Sequence, residues 1–140
     1  MEKILEFEIK GRDFFNAGNS TGVMKNYFKK IGLQSDIIKK ILVASYEAEL
    51  NVVSHADKGK MKIYLDDNEK VVVEVNDEGP GIEDIEKAMQ EGYSTASDEV
   101  REMGFGAGMG LSNMKRNSDN LEITSEVDKG TDVKMIFNIE

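Results

Sequence analysis

The stretch KVVVEVNDEGPGI, residues 70–82, joins a strongly alternating segment to a turn that contains two glycines. The alternate residues from Val71 to Val75 share one face of an extended chain, because successive side chains of a strand point to opposite sides. If the strand continues, Asp77 faces the core too, where a lone carboxylate is costly unless donors satisfy it. The turn EGPG at 78–81 lets another group approach the backbone closely. The pattern predicts a ligand-binding acid at a strand end; the alternative is that Asp77 caps its own turn or the next helix.

A second inward polar side chain is predicted near the other end of the chain. Residues 131–139 alternate in the same way, after a hairpin signal at 128–130. Thr131 therefore enters its strand facing the core, as Asp77 leaves one. An inward carboxylate and an inward hydroxyl at strand ends can together bind a flat ligand that carries an amino group.

The longest predicted helix, over about 35–56, carries an acid and an amide beside its apolar stripe. The stripe consists of Ile37, Ile41, Ala44, Ala48 and Val52. Glu47 and Asn51 are four residues apart, so they are neighbours at the margin of this stripe. Such a pair suits a proton acceptor and a divalent cation; the alternative is a hydrogen-bonded pair on the helix surface. His55 falls within the stripe and is interpreted as a satisfied, partly buried core residue.

Four glycines alternate in GFGAGMG, residues 104–110, ahead of a helix predicted near 109–118. An ordinary helix or strand is unfavourable here, because glycine loses the most backbone entropy on folding. Free N–H groups at a helix start attract phosphate, which explains how an acidic chain can hold a polyanion. No strand closely precedes the run, so it fits the dinucleotide fingerprint poorly, and no P-loop motif is present. Lys115 and Arg116 either add positive charge to this site or form a solvated face.

Length and charge limit the class of protein. The chain has 140 residues, with 27 acidic against 18 basic side chains and a net charge of −9, which fits a single domain over 1–140. The charge argues against binding to nucleic acid or to an anionic membrane. The absence of cysteine excludes a disulfide scaffold, a thiolate metal site and a thiol nucleophile. No apolar run approaches the ~20 residues of a membrane span, and the N-terminus does not resemble a signal sequence. We therefore predict a soluble, cytoplasmic protein.

The predicted elements follow one another without an internal repeat or a linker. In chain order they are a strand at 3–9, a helix from Asn19 or Ser20 to about 31, a helix capped by Ser35 or Asp36 that runs to about 56, strands at 61–67 and 70–76, a short helix at 83–91, a polar stretch at 92–107, a helix at 109–118, and strands at 121–127 and 131–139. This order predicts an α/β fold, a two-layer sandwich.

The motifs occur in one order: E-x-x-x-N on a helix, D-x-G-x-G after a strand, G-x-G-x-G-x-G before a helix, and G-T before the last strand. This order resembles the GHKL ATP-binding superfamily of gyrase, histidine kinases and MutL, from Glu47 to Thr131. The segments EAELNVVSHADKGK at 47–60 and GMGLSNMKRNSDNLEITSEVDKGTDVKMIF at 108–137 look most like the small bacterial anti-sigma-factor serine kinases and switch kinases of partner-switching modules. The resemblance implies the GHKL (Bergerat) fold, a mixed, mostly antiparallel sheet with helices on one face.

Carried over residue by residue, the resemblance implies roles in binding ATP and Mg²⁺. Glu47 would be the general base, Asn51 the Mg²⁺ ligand, and Asp77 the acceptor for the adenine amino group, with Thr131 beside it. The other implied nucleotide-binding residues are Gly79, Gly81, Ile82, Gly104, Gly106, Gly108, Met109, Gly110 and Leu111, with 92–107 as a mobile ATP lid. Glu49 and Leu50 depart from the small or hydroxyl-bearing residues usual in the serine kinases, and Met109 interrupts the usual glycine pattern.

The resemblance further implies a protein serine kinase that regulates a partner by phosphorylating it. The usual substrate in this family is a small STAS-domain anti-sigma-factor antagonist, and the other usual partner is a sigma factor or a phosphatase; related kinases often form homodimers. The alternative is a nucleotide-gated binding switch without phosphoryl transfer. The catalytic domain of a histidine kinase fits less well, because no dimerising helical hairpin with a phospho-acceptor histidine precedes the motifs.

Overall fold

The computed structural model describes residues 1–90 and 110–140. Within them the chain forms five strands and four helices. The strands are β1 (Glu2–Lys10), β2 (Lys58–Asp66), β3 (Lys70–Glu78), β4 (Asn120–Glu126) and β5 (Gly130–Asn138). The helices are α1 (Asn19–Lys30), α2 (Ser35–His55), α3 (Ile85–Ala88) and α4 (Gly110–Asn117).

The strands form one sheet in the order β1-β2-β3-β5-β4, and every pairing between described strands is antiparallel. The alternation of β3 continues to its end, because β3 runs to Glu78 rather than stopping at the predicted residue 76. β2 begins three residues before its predicted start, and the helix predicted at 83–91 spans only Ile85–Ala88. No described helix is long and apolar enough to cross a membrane.

Opposite charges alternate across one face of the sheet. The register places five charged residues side by side, one from each strand: Glu6, Lys62, Glu74, Lys134 and Glu122. All five are exposed or only partly buried. Cross-strand pairs of opposite charge each contribute roughly 0.2–1 kcal/mol. This face stays in water, and the helices cover the other face, which gives the two predicted layers.

Helix α2 packs on the covered face and contacts β1, β2, β3 and β5. Its predicted stripe faces the core, since Ile41, Ala44, Ala48 and Val52 are buried. A second buried side includes Ser45 and Glu49, which the single predicted stripe did not include. Because α2 also contacts α1 and α4, it is the central element of the helical layer.

The start of α1 is held by a side chain of α2 instead of by a local cap. We predicted Asn19 or Ser20 as the cap of α1, but the N-cap is Gly18 and it makes no side-chain capping bond. The Gly18 amide and the Ser20 hydroxyl instead donate to the Glu49 carboxylate, at 2.5 Å and 2.8 Å. This places a carboxylate at the positive end of the α1 dipole, where a negative charge is stabilising. The predicted caps Ser35 and Asp36 of α2 were also wrong, because the N-cap is Gln34 and no side chain bonds there.

Replacement of Glu49 by alanine is therefore expected to lower the free energy of unfolding by about 2–3 kcal/mol. The replacement removes the acceptor of two hydrogen bonds, and the Glu49 side chain is only 5% exposed. Denaturant unfolding measures the change, and Glu2→Ala at the exposed start of β1 is the matched control. An equal midpoint for Glu49→Ala and the wild type would show that these bonds do not stabilise the fold.

Candidate functional site

Asp77 and Thr131 meet at neighbouring ends of β3 and β5. Val75 pairs with Val133 in the β3–β5 register, and Asp77 and Thr131 each lie two residues from this pair, on the same inward face. The Asp77 Oδ1 atom accepts a hydrogen bond from the Thr131 amide at 3.0 Å. The Oδ2 atom accepts no hydrogen bond from residues 1–90 or 110–140. One oxygen of this half-buried carboxylate is therefore fixed by the sheet, and the other remains available as an acceptor.

Burial raises the pKa of the Asp77 carboxyl above its ordinary value. The hydrogen bond from the Thr131 amide acts in the opposite direction and lowers this pKa. The nearby charge of Asp132 raises this pKa further. The alternative role as a helix cap is wrong: Asp84 is the N-cap of α3 and its Oδ1 atom accepts from the Lys87 amide at 3.1 Å. Asp77 is thus an inward acid that the fold does not use to cap that helix.

Ser125, which was not among the predicted site residues, connects Thr131 to the turn after β3. Its Oγ atom lies 2.9 Å from the Thr131 Oγ1 atom and accepts from the Ile82 amide at 2.7 Å. It also donates to the Gly130 carbonyl at 3.0 Å. Ser125 pairs with Thr131 in the β4–β5 register, so the alternation from Leu121 onward could have revealed it.

The two glycines of the turn after β3 are required by the surrounding backbone. A Cβ atom at Gly79 would lie 2.8 Å from the Ala56 Cα atom at the end of α2. Gly81 has a φ angle of +74°, and a Cβ there would collide with the Glu126 carbonyl. These glycines join the end of β3 to α2 and to the β4–β5 hairpin. Their predicted part in an adenine pocket remains a prediction.

A polar groove of about 330 Å³ borders Asp77 at this end of the sheet. Its walls include Ser125 and Gly130, together with Thr124 and Asp132. Thr124 and Asp132 occupy strand positions that point away from the helices, so the groove extends around the end of the sheet to its open face. Its volume lies at the low end of the range for ligand pockets, roughly 300–1,000 Å³.

Glu47 lies at the contact between α2 and α4. A Cβ atom at Gly110 would lie 3.4 Å from the Glu47 Oε2 atom, so the first residue of α4 packs against this carboxylate. Burial raises the pKa of Glu47 above its ordinary value, and a hydrogen bond with the Asn113 side chain acts in the opposite direction. Asn113 was not among the predicted site residues, because nothing local indicates that its helix meets α2. Glu47 is a partly buried acid whose pKa is shifted toward neutrality, as suits a general base.

Asn51 lies one turn after Glu47 on α2 and is half-buried. α2 ends at His55, and the next residue, Ala56, contacts Gly79 beside Asp77. Eight helical residues lie between Glu47 and Ala56, which are therefore about 13 Å apart along the axis. Asn51 is therefore located between the Glu47 region and the Asp77 region, which are the two parts of the candidate site.

Within residues 1–90 and 110–140, no group of three or more His, Cys, Asp or Glu side chains could hold a metal ion. The half-buried Asn51 amide fits Mg²⁺ nevertheless, since this ion commonly keeps several waters and binds one or two protein oxygens together with substrate phosphates. His55 is half-buried, as predicted, but its side chain makes no hydrogen bond to a described residue. Burial lowers the pKa of His55, and the charge of Arg12 lowers it further.

The phosphate-binding part of the predicted site is only partly described. Gly110 begins α4, and Leu111 is buried in the core. The other predicted residues of this part, namely Gly104, Gly106, Gly108, Met109 and the whole predicted lid at 92–107, lie outside the described residues.

The profile of the family described as histidine kinase-like ATPase domain matches residues 18–137. This chain belongs to that family. An anti-sigma F factor from Caldanaerobacter subterraneus subsp. tengcongensis is 43% identical over 103 residues, which cover 70% of this chain and 68% of that protein. The serine/threonine-protein kinase RsbT of Bacillus subtilis is 31% identical over 102 residues, which cover 73% of this chain and 65% of that protein.

A solved structure of this fold is the SiaB-SiaC complex from Pseudomonas aeruginosa. It contains a chain that superposes with a TM-score of 0.69 at 13% sequence identity, covering 97% of this chain and 90% of that chain. The predicted two-layer GHKL fold and the predicted kinship with anti-sigma-factor kinases are confirmed for this member of the histidine kinase-like ATPase domain family.

Glu49 is one of the residues that depart from the pattern usual in the serine kinases, and its position in the fold shows a structural role. Its carboxylate is bound to Gly18 and Ser20 at the start of α1, on the side of α2 that packs against α1. Glu47, two residues earlier, packs against α4 instead. Glu49 therefore stabilises the packing of two helices and is not part of the candidate site.

Proposed function

We propose that this chain is an ATP- and Mg²⁺-dependent protein serine kinase of the anti-sigma-factor type. The observation that carries the proposal is the Asp77 carboxylate, which faces the covered side of the sheet with one oxygen bound to Thr131 and the other available. An available acceptor at the end of β3 suits the amino group of adenine. The family membership and the names of the relatives support the same conclusion.

Asp77 of β3 and two residues of α2 would bind successive parts of the nucleotide. Asp77 would hold the adenine at the Ala56 end of α2, and the Asn51 amide would bind Mg²⁺ beside the phosphates. Mg²⁺ supplies charge neutralisation for the transferring phosphoryl group. Positioning and electrostatics give most of the rate in such reactions.

Glu47 would take the proton of the attacking serine hydroxyl. The serine Oγ atom forms a bond to the γ-phosphorus of ATP, the bond from that phosphorus to the β-γ bridging oxygen breaks, and ADP leaves. The hydrogen bond from Asn113 and the contact with Gly110 would hold the carboxylate in place for this step. Partial burial favours proton uptake, because it raises the pKa of Glu47.

The protein substrate would be a small STAS-domain antagonist or a protein of similar role, with a sigma factor or a phosphatase as a second partner. The printed names of the relatives, anti-sigma F factor and serine/threonine-protein kinase, support a regulatory protein partner. We also propose that the chain forms a homodimer and acts in the cytoplasm.

Single-turnover labelling with γ-labelled ATP tests the proposal. We expect label to pass from ATP to a serine of a small STAS-domain antagonist protein, and to require Mg²⁺. If nucleotide changes the affinity of that protein in a pull-down but no label is transferred, the chain is a nucleotide-gated switch and the kinase assignment is wrong. Failure of ATP itself to bind would contradict both functions.

A further inference from the structure

Five exposed lysines lie close together in a chain that is otherwise strongly acidic. They are Lys25, Lys29 and Lys30 on α1 and Lys39 and Lys40 on α2, and they are called the basic corner below. Residues 25–40 contain these five lysines and one acid, Asp36, for a local charge of +4. Since the whole chain carries −9, the remaining residues carry −13.

The fold brings the two groups of lysines to the same end of a helical hairpin. The bonds from Gly18 and Ser20 to Glu49 place the start of α1 beside the second half of α2. The end of α1 is joined to the start of α2 by the short connection 31–34, which is tightened by bonds such as that from the Leu33 amide to the Phe28 carbonyl. The two helices therefore run antiparallel, and the basic corner lies at the end of the hairpin that is far from Ala56 and Asp77.

The basic corner is not explained by contacts within the fold. Among residues 1–90 and 110–140, none of its five lysines forms an ion pair or a side-chain hydrogen bond. Lys25 and Lys29 are one turn apart on α1, and like charges at this spacing destabilise a helix. Lys29 and Lys30 lie in the last turn of α1, where the helix dipole favours positive charge, but the dipole does not account for Lys25, Lys39 or Lys40. A charge cluster without partners among the described residues indicates a partner outside the chain.

Apolar surface accompanies the lysines. Ile31, directly after the end of α1, is 40% exposed, and Val23 is 49% exposed on the face of α1 that also carries Lys30. Basic residues around apolar side chains match a partner surface that combines carboxylates with apolar groups.

From these observations we infer that the basic corner binds an acidic, partly apolar segment of a protein partner. The acidic remainder of the chain repels an extended polyanion such as DNA or an anionic membrane. A short acidic segment bound at the basic corner interacts mainly with the charges of the corner itself, because charges separated by more than about 8 Å are screened at physiological ionic strength. The corner is a recognition surface separate from the candidate nucleotide site, and this inference does not depend on the proposed kinase activity.

The test uses a fluorescein-labelled peptide of alternating glutamate and leucine as the probe. The double variant Lys25→Glu/Lys39→Glu reverses two charges of the corner, neither of them in the last turn of a helix, so the helix dipoles do not oppose the change. The matched control Lys10→Glu/Lys70→Glu changes the net charge equally at exposed strand ends. Circular dichroism and thermal unfolding establish that both variants are folded.

Fluorescence anisotropy is expected to show peptide binding to the wild type and to the control, with a dissociation constant at least about tenfold higher for the corner variant. Added NaCl should weaken wild-type binding, and a Lys25→Gln/Lys39→Gln variant gives the same comparison if charge reversal prevents folding.

Absence of peptide binding, or equal weakening in the control, would overturn the inference. Tighter, corner-dependent binding of a single-stranded DNA 20-mer or of phosphatidylserine vesicles would identify a polyanion as the occupant instead. Loss of a wild-type dimer in the corner variant by analytical ultracentrifugation would identify a second copy of this chain.

Discussion

Replacement of Glu47 by alanine is expected to lower phosphoryl transfer to the protein partner by roughly 100- to 10,000-fold, the contribution typical of a general base. ATP affinity should stay close to that of the wild type, because Asp77 and Asn51 are unchanged. The measurements are single-turnover transfer from γ-labelled ATP and nucleotide binding by calorimetry. Glu47→Gln is the matched variant, since its amide keeps the shape of the side chain and can still bond Asn113. Equal loss of binding and transfer in both variants would show that Glu47 is structural.

The pH dependence of transfer supplies an independent readout of Glu47. The base must be ionised, and burial raises its pKa, so the rate should fall on the acid side at a pH above the ordinary range of a glutamate. Asn113→Leu removes the hydrogen bond that lowers this pKa. The acid limb of kcat/KM should therefore move to higher pH in that variant, and an unmoved limb would assign it to another group.

Replacement of Asp77 by asparagine is expected to weaken adenine nucleotides by roughly 10- to 100-fold. The free carboxylate oxygen becomes an amide that points two hydrogens toward the amino group of adenine, and a mismatched polar contact costs about 1–3 kcal/mol. The asparagine Oδ1 atom can still accept from the Thr131 amide, so the strand ends stay joined. Calorimetry with ATP and GTP checks this, and the preference for ATP should shrink because guanine presents an oxygen where adenine has its amino group. Unchanged affinity and preference would contradict the adenine role.

The same substitution should not destabilise the fold near neutral pH. Because burial raises the pKa of Asp77 in the folded state, the charged carboxyl lowers stability at pH values above its folded pKa. This loss disappears as the pH falls below the unfolded pKa, where both states are protonated. The thermal midpoint of Asp77→Asn should thus equal or exceed that of the wild type at pH 7, with a smaller difference in acid. Glu122→Gln, at an exposed position of β4 outside the groove, is the control for affinity.

The inward acid and hydroxyl could be predicted because strand periodicity is local. Three alternate valines of β3 orient Asp77, and four alternate apolar residues at 133–139 orient Thr131. That the two side chains would meet required the β3–β5 pairing, which joins residues 54 positions apart. The same alternation in β4 would have placed Ser125 beside them.

The helix caps show where local signals fail. Asn19 and Ser20 are good capping residues, yet the N-cap of α1 is Gly18, whose amide donates to the carboxylate of Glu49 about 30 residues farther along the chain. A distant buried acceptor satisfies the same donors, so the local cap is not used. The spacing of residues around Glu49 does not show whether its carboxylate supports the start of α1 or, like that of Glu47, belongs to the candidate site.

By itself the sequence determined the order of strands and helices, the sides of β3 and β5 that face the core, and the motif order that identifies the family, since periodicity and glycine placement act over a few residues. Only the tertiary structure decided that Glu47 is held against α4 by Asn113, that Glu49 supports α1, and that five lysines gather at one end of the helical hairpin. Those contacts join segments distant in the chain, and their partners are chosen by packing and burial, which no local pattern encodes.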